Sequence, residues 1–222
     1  MNRQIPICFL LIIFHLIVSC EKETIIPTNT NKQEQTTNTN VPPNTTTTSL
    51  AGFGNRLGTP SGYPFDLPYN TYIVTPIKWG IIDNTYKYYG VGKISVFFKI
   101  KNFSDSNCSI TFPAGLILLP HPDSAQSVLT IHSVKFELQA NTSKKIALRG
   151  FCMNRYKGIQ YANNFTLHTI SNNDQVTTLL SAVKVKTDSL LLKHLYELQD
   201  IVWSISDGTG LTQAKLNNIA GW

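Results

Sequence analysis

Chemistry in this chain could rest on two cysteines. Of the four in 222 residues, Cys8 and Cys20 fall in or at the end of an apolar leader, which leaves Cys108 and Cys152. Both share parity with apolar neighbours: Cys108 aligns with Ile110 and Phe112, and Cys152 with Ile146, Leu148 and Gly150. Outside the cytosol, inward-facing cysteines either join as a disulfide between sheets, worth about 3–4 kcal/mol in the chain-entropy model, or stay as two buried thiols. Ordinary catalysis has little else to use. His121, His132, His168 and His194 form no HExxH and no i,i+4 pair, and no cysteines have zinc-finger spacing, so no metal site is expected. There is no Gly-x-Ser-x-Gly elbow and no phosphate loop. Asp207-Gly208-Thr209-Gly210 reads as a helix stop, since a Ca²⁺ loop needs several more oxygen ligands. The remaining enzymatic arrangement pairs Cys152 with His168 or His194. The expectation is a protein that is not an enzyme and carries no cofactor.

Phe151-Cys152, followed by Leu198-Gln199-Asp200-Ile201-Val202-Trp203 and Ser206-Asp207-Gly208, resembles the Cys and Gln motifs of bacterial thioester domains. In those surface adhesins the cysteine sulfur displaces ammonia from the glutamine side chain, and the thioester then acylates an amine on a partner. The resemblance implies that role for Cys152 and Gln199. Gln199 borders the Leu198/Val202 stripe, where burial would keep water from a thioester. Two functions follow: first, a non-catalytic binding module of unknown protein or glycan ligand; second, an adhesin that couples covalently through Cys152-Gln199.

The leader says where either would operate. Arg3 and the apolar stretch Ile7 to Val18 form an export signal, too short for the roughly 20 residues that span a bilayer. Leu16-Ile17-Val18-Ser19-Cys20 resembles the bacterial lipobox, which implies cleavage after residue 19 and lipidation of Cys20. Glu21-Lys22-Glu23 is similar to surface-export signals of Bacteroidota lipoproteins. Residues 21–50 hold 10 Thr and 5 Asn with almost no apolar residue, as expected of a tether that cannot bury enough area to order itself. The implied protein is an outer-membrane lipoprotein, held to membrane lipid through Cys20 and facing the periplasm or the cell surface.

Three basic and three acidic residues lie in the first 50, so the net charge of +6 belongs to residues 51–222. Lys93, Lys99 and Lys101 alternate with apolar residues, as the solvated face of a strand would, and no basic run or RNA-binding signature accompanies them, so nucleic acid is not an expected partner. Tyr63, Phe65, Tyr69, Tyr72, Tyr86, Tyr88 and Tyr89 are dense enough to offer some ligand contacts, most being core or strand residues. Asp123-Ser124-Ala125 and Asp188-Ser189-Leu190 resemble the short Bacteroidota O-glycosylation sequence.

The elements that must position these groups change period midway. From Tyr72 to Leu148 it is two: Ile94, Val96, Phe98 and Ile100 lie opposite Lys93, Ser95, Lys99 and Lys101, with Phe97 the exception. Leu129 and Ile131 differ in parity from Val134, Phe136 and Leu138, which calls for a bulge or corner near His132-Ser133. After Gly150 helical spacing takes over: Val176, Leu179, Leu180 and Val183 behind Asn172 or Asn173, then Leu191 to Ile205 as one helix from about Ser189, then a short helix from Thr212. The expected class is α+β: an antiparallel immunoglobulin-like β-sandwich over 51–150, followed by a helical block over 151–222 packed on it.

Overall fold

The computed structural model describes residues 51–56, 58–80, 82–121, 125–157 and 164–222. The leader, Cys20, the tether and the Asp123-Ser124 pair lie outside these residues.

The long strand β5 (Ile94–Asn102) shows why the chain folds as it does. Ile94, Val96, Phe98 and Ile100 are all buried, and Lys99 and Lys101 face outward. Phe97 breaks the alternation because Tyr86 and Tyr88 cover it edge-on, with ring centroids 5.1 and 5.9 Å away. β5 pairs along nearly its whole length with β10 (Ser143–Cys152), from Ser143↔Lys101 to Gly150↔Ile94. Its other edge pairs with β3 (Ile77–Trp79), and the ladder continues through β11 (Asn164–Ser171), β7 (Leu116–His121) and β8 (Val128–Leu129) back to β10.

That circuit is a closed six-stranded antiparallel barrel, and it overturns the immunoglobulin-like sandwich. A sandwich leaves free edges on two facing sheets; here the β5–β10 ladder joins what would have been separate sheets. β1 (Gly62–Pro64), β2 (Thr71–Ile73) and β4 (Lys87–Tyr89) add to β11, β5 and β10. A separate ladder of β6 (Cys108–Phe112) and β9 (Val134–Leu138) supplies Cys108, Ile110, Phe112, Val134, Phe136 and Leu138 to the cluster that fills the barrel. A small barrel has no lumen to spare, so side chains occupy its interior. The parity change near His132 is a change of sheet: β8 belongs to the barrel and β9 to the second ladder.

β-structure continues past residue 150, since β10 ends at Cys152 and β11 precedes the first helix. The helices α1 (Asp174–Val183), α2 (Asp188–Lys193), α3 (Leu195–Asp207) and α4 (Gln213–Gly221) then build a second apolar cluster against Ile117, Leu129, Phe151 and Met153. Asn173 caps α1, its Oδ1 accepting from the N–H groups of Gln175 and Val176. Gly208 ends α3 at φ 89°, the left-handed conformation that costs glycine least. The expected single helix from Ser189 is two. His194 leaves helical geometry and stacks on Trp222, ring centroids 4.3 Å apart, while its Nδ1 meets Glu197 at 2.9 Å.

The barrel closes through close backbone approach at Gly150. A Cβ there would lie 2.5 Å from Val128 Cγ1 and 2.7 Å from the Leu129 carbonyl oxygen. Gly150→Ala should therefore cost about 2–4 kcal/mol and lower Tm by about 5–15 °C. Calorimetry checks this; an unchanged Tm would mean β8 can move away without penalty.

Candidate functional site

Cys152 is the last residue of β10, and the β5 ladder stops two residues short of it at Gly150↔Ile94. Gly92 explains the stop: a Cβ there would lie 2.2 Å from the Gly150 carbonyl oxygen, so the incoming chain crosses β10 instead of running beside it. The Cys152 N–H and C=O therefore need another partner, because buried peptide groups left unpaired cost about 1–3 kcal/mol each. Gln199 on α3 supplies it. Its Oε1 accepts from the Cys152 N–H at 3.0 Å and its Nε2 donates to the Cys152 carbonyl at 2.8 Å. One buried carboxamide, 2% exposed, does for Cys152 what a neighbouring strand does further down β10.

The opposite edge is tied as firmly. Met153 N–H donates to the Ser127 carbonyl at 3.0 Å, and the Ser127 N–H to Asn154 Oδ1 at 2.8 Å. Asn154 Nδ2 donates to the carbonyls of Gly52 and Gly54 at 3.2 and 2.8 Å, which pins residues 52–54 to the end of β10. Lys93, Arg155 and Asn154 are site residues that the sequence reading missed. Asn154 stands two residues beyond Cys152, whereas only the fold brings Lys93 here.

The Cys152 side chain joins the barrel-filling cluster. Burial pushes its thiol up to about 12, against a smaller downward pull from the Lys93 ammonium and its own backbone hydrogen bond. Lys93 Nζ rests 3.4 Å from the centroid of the exposed Tyr196 ring, one turn before Gln199. One turn after Gln199, the Arg155 guanidinium lies 5.0 Å from the Trp203 ring and pairs with Asp200 at 3.7 Å and Asp207 at 3.9 Å. Desolvation holds the Asp207 carboxyl above its ordinary range despite Arg155 and Arg56. The Trp203 indole Nε1 is buried with no acceptor among the described residues.

Cys108 is buried in the same interior cluster, its sulfur 4.0 Å from Thr71 Oγ1. His132 binds Asp188 at 2.7 Å and the Val183 carbonyl at 3.3 Å, which fixes α2 to the barrel. The start of α2 is the Asp188-Ser189 sequence, exposed at the surface. Among the described residues no group of three His, Cys, Asp or Glu could hold a metal ion, and no helix is long and apolar enough to cross a membrane. No protein-family model, curated protein or solved structure matches the chain.

Chemically, the carboxamide is already polarised. A backbone N–H bonded to Oε1 is the donor that stabilises charge developing on that oxygen when a nucleophile attacks Cδ.

Two outcomes follow. Gln199→Leu should lower stability by about 2–4 kcal/mol, since both Cys152 peptide groups lose their partner in a buried site; urea titration at neutral pH measures it, and a loss below about 0.5 kcal/mol would mean water takes over. In the free-thiol form, native Cys152 keeps its proton from pH 9.0, the ordinary value for a thiol, up to about 12 while the unfolded thiol ionises. The unfolded state then binds fewer protons, so this contribution is full below pH 9 and falls by up to about 1.4 kcal/mol per unit as pH rises through the window. Cys152→Ala should flatten that part of the stability–pH curve relative to the parent; identical curves would contradict the burial of the thiol.

Proposed function

We propose that the chain is a lipid-tethered module of the bacterial cell envelope that couples to an amine on a partner through a thioester between Cys152 Sγ and Gln199 Cδ. The observation that carries this reading is the Gln199 carboxamide seated on the Cys152 peptide, inside a buried strand end. In the ring-closing step, Sγ attacks Cδ, the C–N bond to Nε2 breaks, and the thiol proton leaves with ammonia. The Cys152 N–H stays on the carbonyl oxygen throughout. Closure removes Nε2, and with it the donor to the Cys152 carbonyl. A partner amine attacking Cδ breaks the C–S bond, regenerates the thiol and gives an amide whose N–H can return to that carbonyl. Hydrolysis would instead leave a buried carboxylate whose second oxygen faces the Cys152 carbonyl, acceptor against acceptor, so the same pocket favours the amide product over the acid. The high thiol pKa makes closure slow at neutral pH and faster as pH rises, since the thiolate is the nucleophile.

A non-covalent binding module remains the second reading, favoured by the exposed rings of Tyr63, Tyr69 and Tyr72. Lipidation at Cys20 belongs to both, and places either at the outer membrane without nucleic-acid partners.

Intact-mass measurement of the chain from membranes decides between the chemistries. The thioester reading expects a deficit of one ammonia, its disappearance with methylamine adding one equivalent at Gln199, and no deficit in Cys152→Ala. A deficit of two hydrogens would show a Cys108–Cys152 disulfide, and a full mass inert to methylamine would leave the non-covalent module. Globomycin should block processing before Cys20; unaltered processing would contradict the tether.

A further inference from the structure

The outer surface of the barrel divides in two. Around β7, β8 and the end of β10 it is apolar and covered by the helices. Among the described residues none of β3, β4, β5 or the rest of β10 joins that helical cluster, and these four strands contain no Asp or Glu. Register sets their outward side chains in rows. Tyr72 of β2 lies beside Lys101. Lys99 lies directly opposite Lys145. Lys78, Phe97, Ala147 and Tyr88 form the next row, and Ser95 and Arg149 the last.

The Lys99–Lys145 pair needs an account, because like charges directly opposite on neighbouring strands are destabilising. Among the described residues no salt bridge reaches Lys78, Lys99, Lys101, Lys145 or Arg149. Asp83 feels Lys145 but is engaged by the Thr85 N–H, which holds its carboxyl below its ordinary value. Three of the cations are parked on rings instead: Lys101 over Phe103 at 4.3 Å, Lys145 over Tyr86 at 5.4 Å, and Arg149 over Tyr88 at 4.9 Å. Tyr86 and Tyr88 are in turn fixed edge-on against Phe97. The cations are thus arranged in advance along a stretch of barrel surface about 20 Å long, at 3.4 Å per strand residue from Ser95 to Lys101.

We propose that this face binds an acidic polysaccharide, a chain of sugars bearing regularly spaced carboxylates. Opposed lysines with no acid between them suit a carboxylate held between two strands, and rings beside cations suit sugars, whose apolar faces lie on aromatics. A membrane surface fits less well, because Tyr86 and Tyr88 are pinned edge-on against Phe97 and are not free to insert among lipids. The face stands apart from the Cys152–Gln199 pair, so the two readings fail separately.

The test uses the mature chain, residues 20–222 carrying Cys20→Ser so that no lipid intervenes, and polygalacturonate as the probe. Binding should be measurable at low salt, weaken as salt rises, and be absent for neutral dextran. Lys99→Glu/Lys145→Glu should weaken it at least about tenfold. Lys135→Glu/Lys184→Glu makes the same change in net charge elsewhere and should leave it within about twofold. No binding of polygalacturonate at low salt would overturn the proposal. So would equal loss in both double variants, which would reduce the effect to net charge, or binding to phosphatidylglycerol vesicles in preference to polygalacturonate, which would make this a membrane surface. Circular dichroism of each variant, compared with the parent, separates lost binding from lost fold.

Discussion

A single side-chain amide, that of Gln199, satisfies the end of a barrel strand. Where Gly92 crosses β10, the ladder from β5 cannot continue, and the Cys152 peptide would be left buried and unpaired. The Gln199 carboxamide closes that gap, and in doing so it fixes α3 against the barrel. The chemical reading depends on the same contact. A carboxamide brought in to complete a strand is also brought to the one cysteine at that strand's end, with its oxygen already on a hydrogen-bond donor.

The barrel explains how one sheet serves two unlike purposes. Its interior is filled by its own side chains and by β6 and β9. Its exterior is apolar where the helices dock and cationic where they do not. Helix placement therefore decides which outward residues become core and which become surface, and both Cys152 and Arg149 owe their surroundings to that boundary.

Local pattern made much of this readable in advance. The alternation of β5, the Asn173 cap and the Gly208 stop all act within a few residues, and each appears where its chemistry points. Barrel closure was hidden, because the period of two says which face of a strand is buried and nothing about which distant strand it meets. The break at His194 was hidden for the same reason: its cause is Trp222, a contact that no helical stripe encodes. Phe97 looked like an error of pattern until Tyr86 and Tyr88 were seen to cover it. The Cys152–Gln199 pair, 47 residues apart in sequence, was visible only as a resemblance of motifs, whereas the opposed Lys99–Lys145 pair depends on register, and the place of Lys93 near Cys152 on the tertiary fold.

The contact on which the whole account rests can be observed directly as a scalar coupling across the hydrogen bond, between the Cys152 amide nitrogen and the Gln199 side-chain carbonyl carbon in isotope-labelled protein. The account predicts a resolved coupling together with slow exchange of the Cys152 amide proton. No coupling, with that proton exchanging at the rate of an open chain, would contradict it.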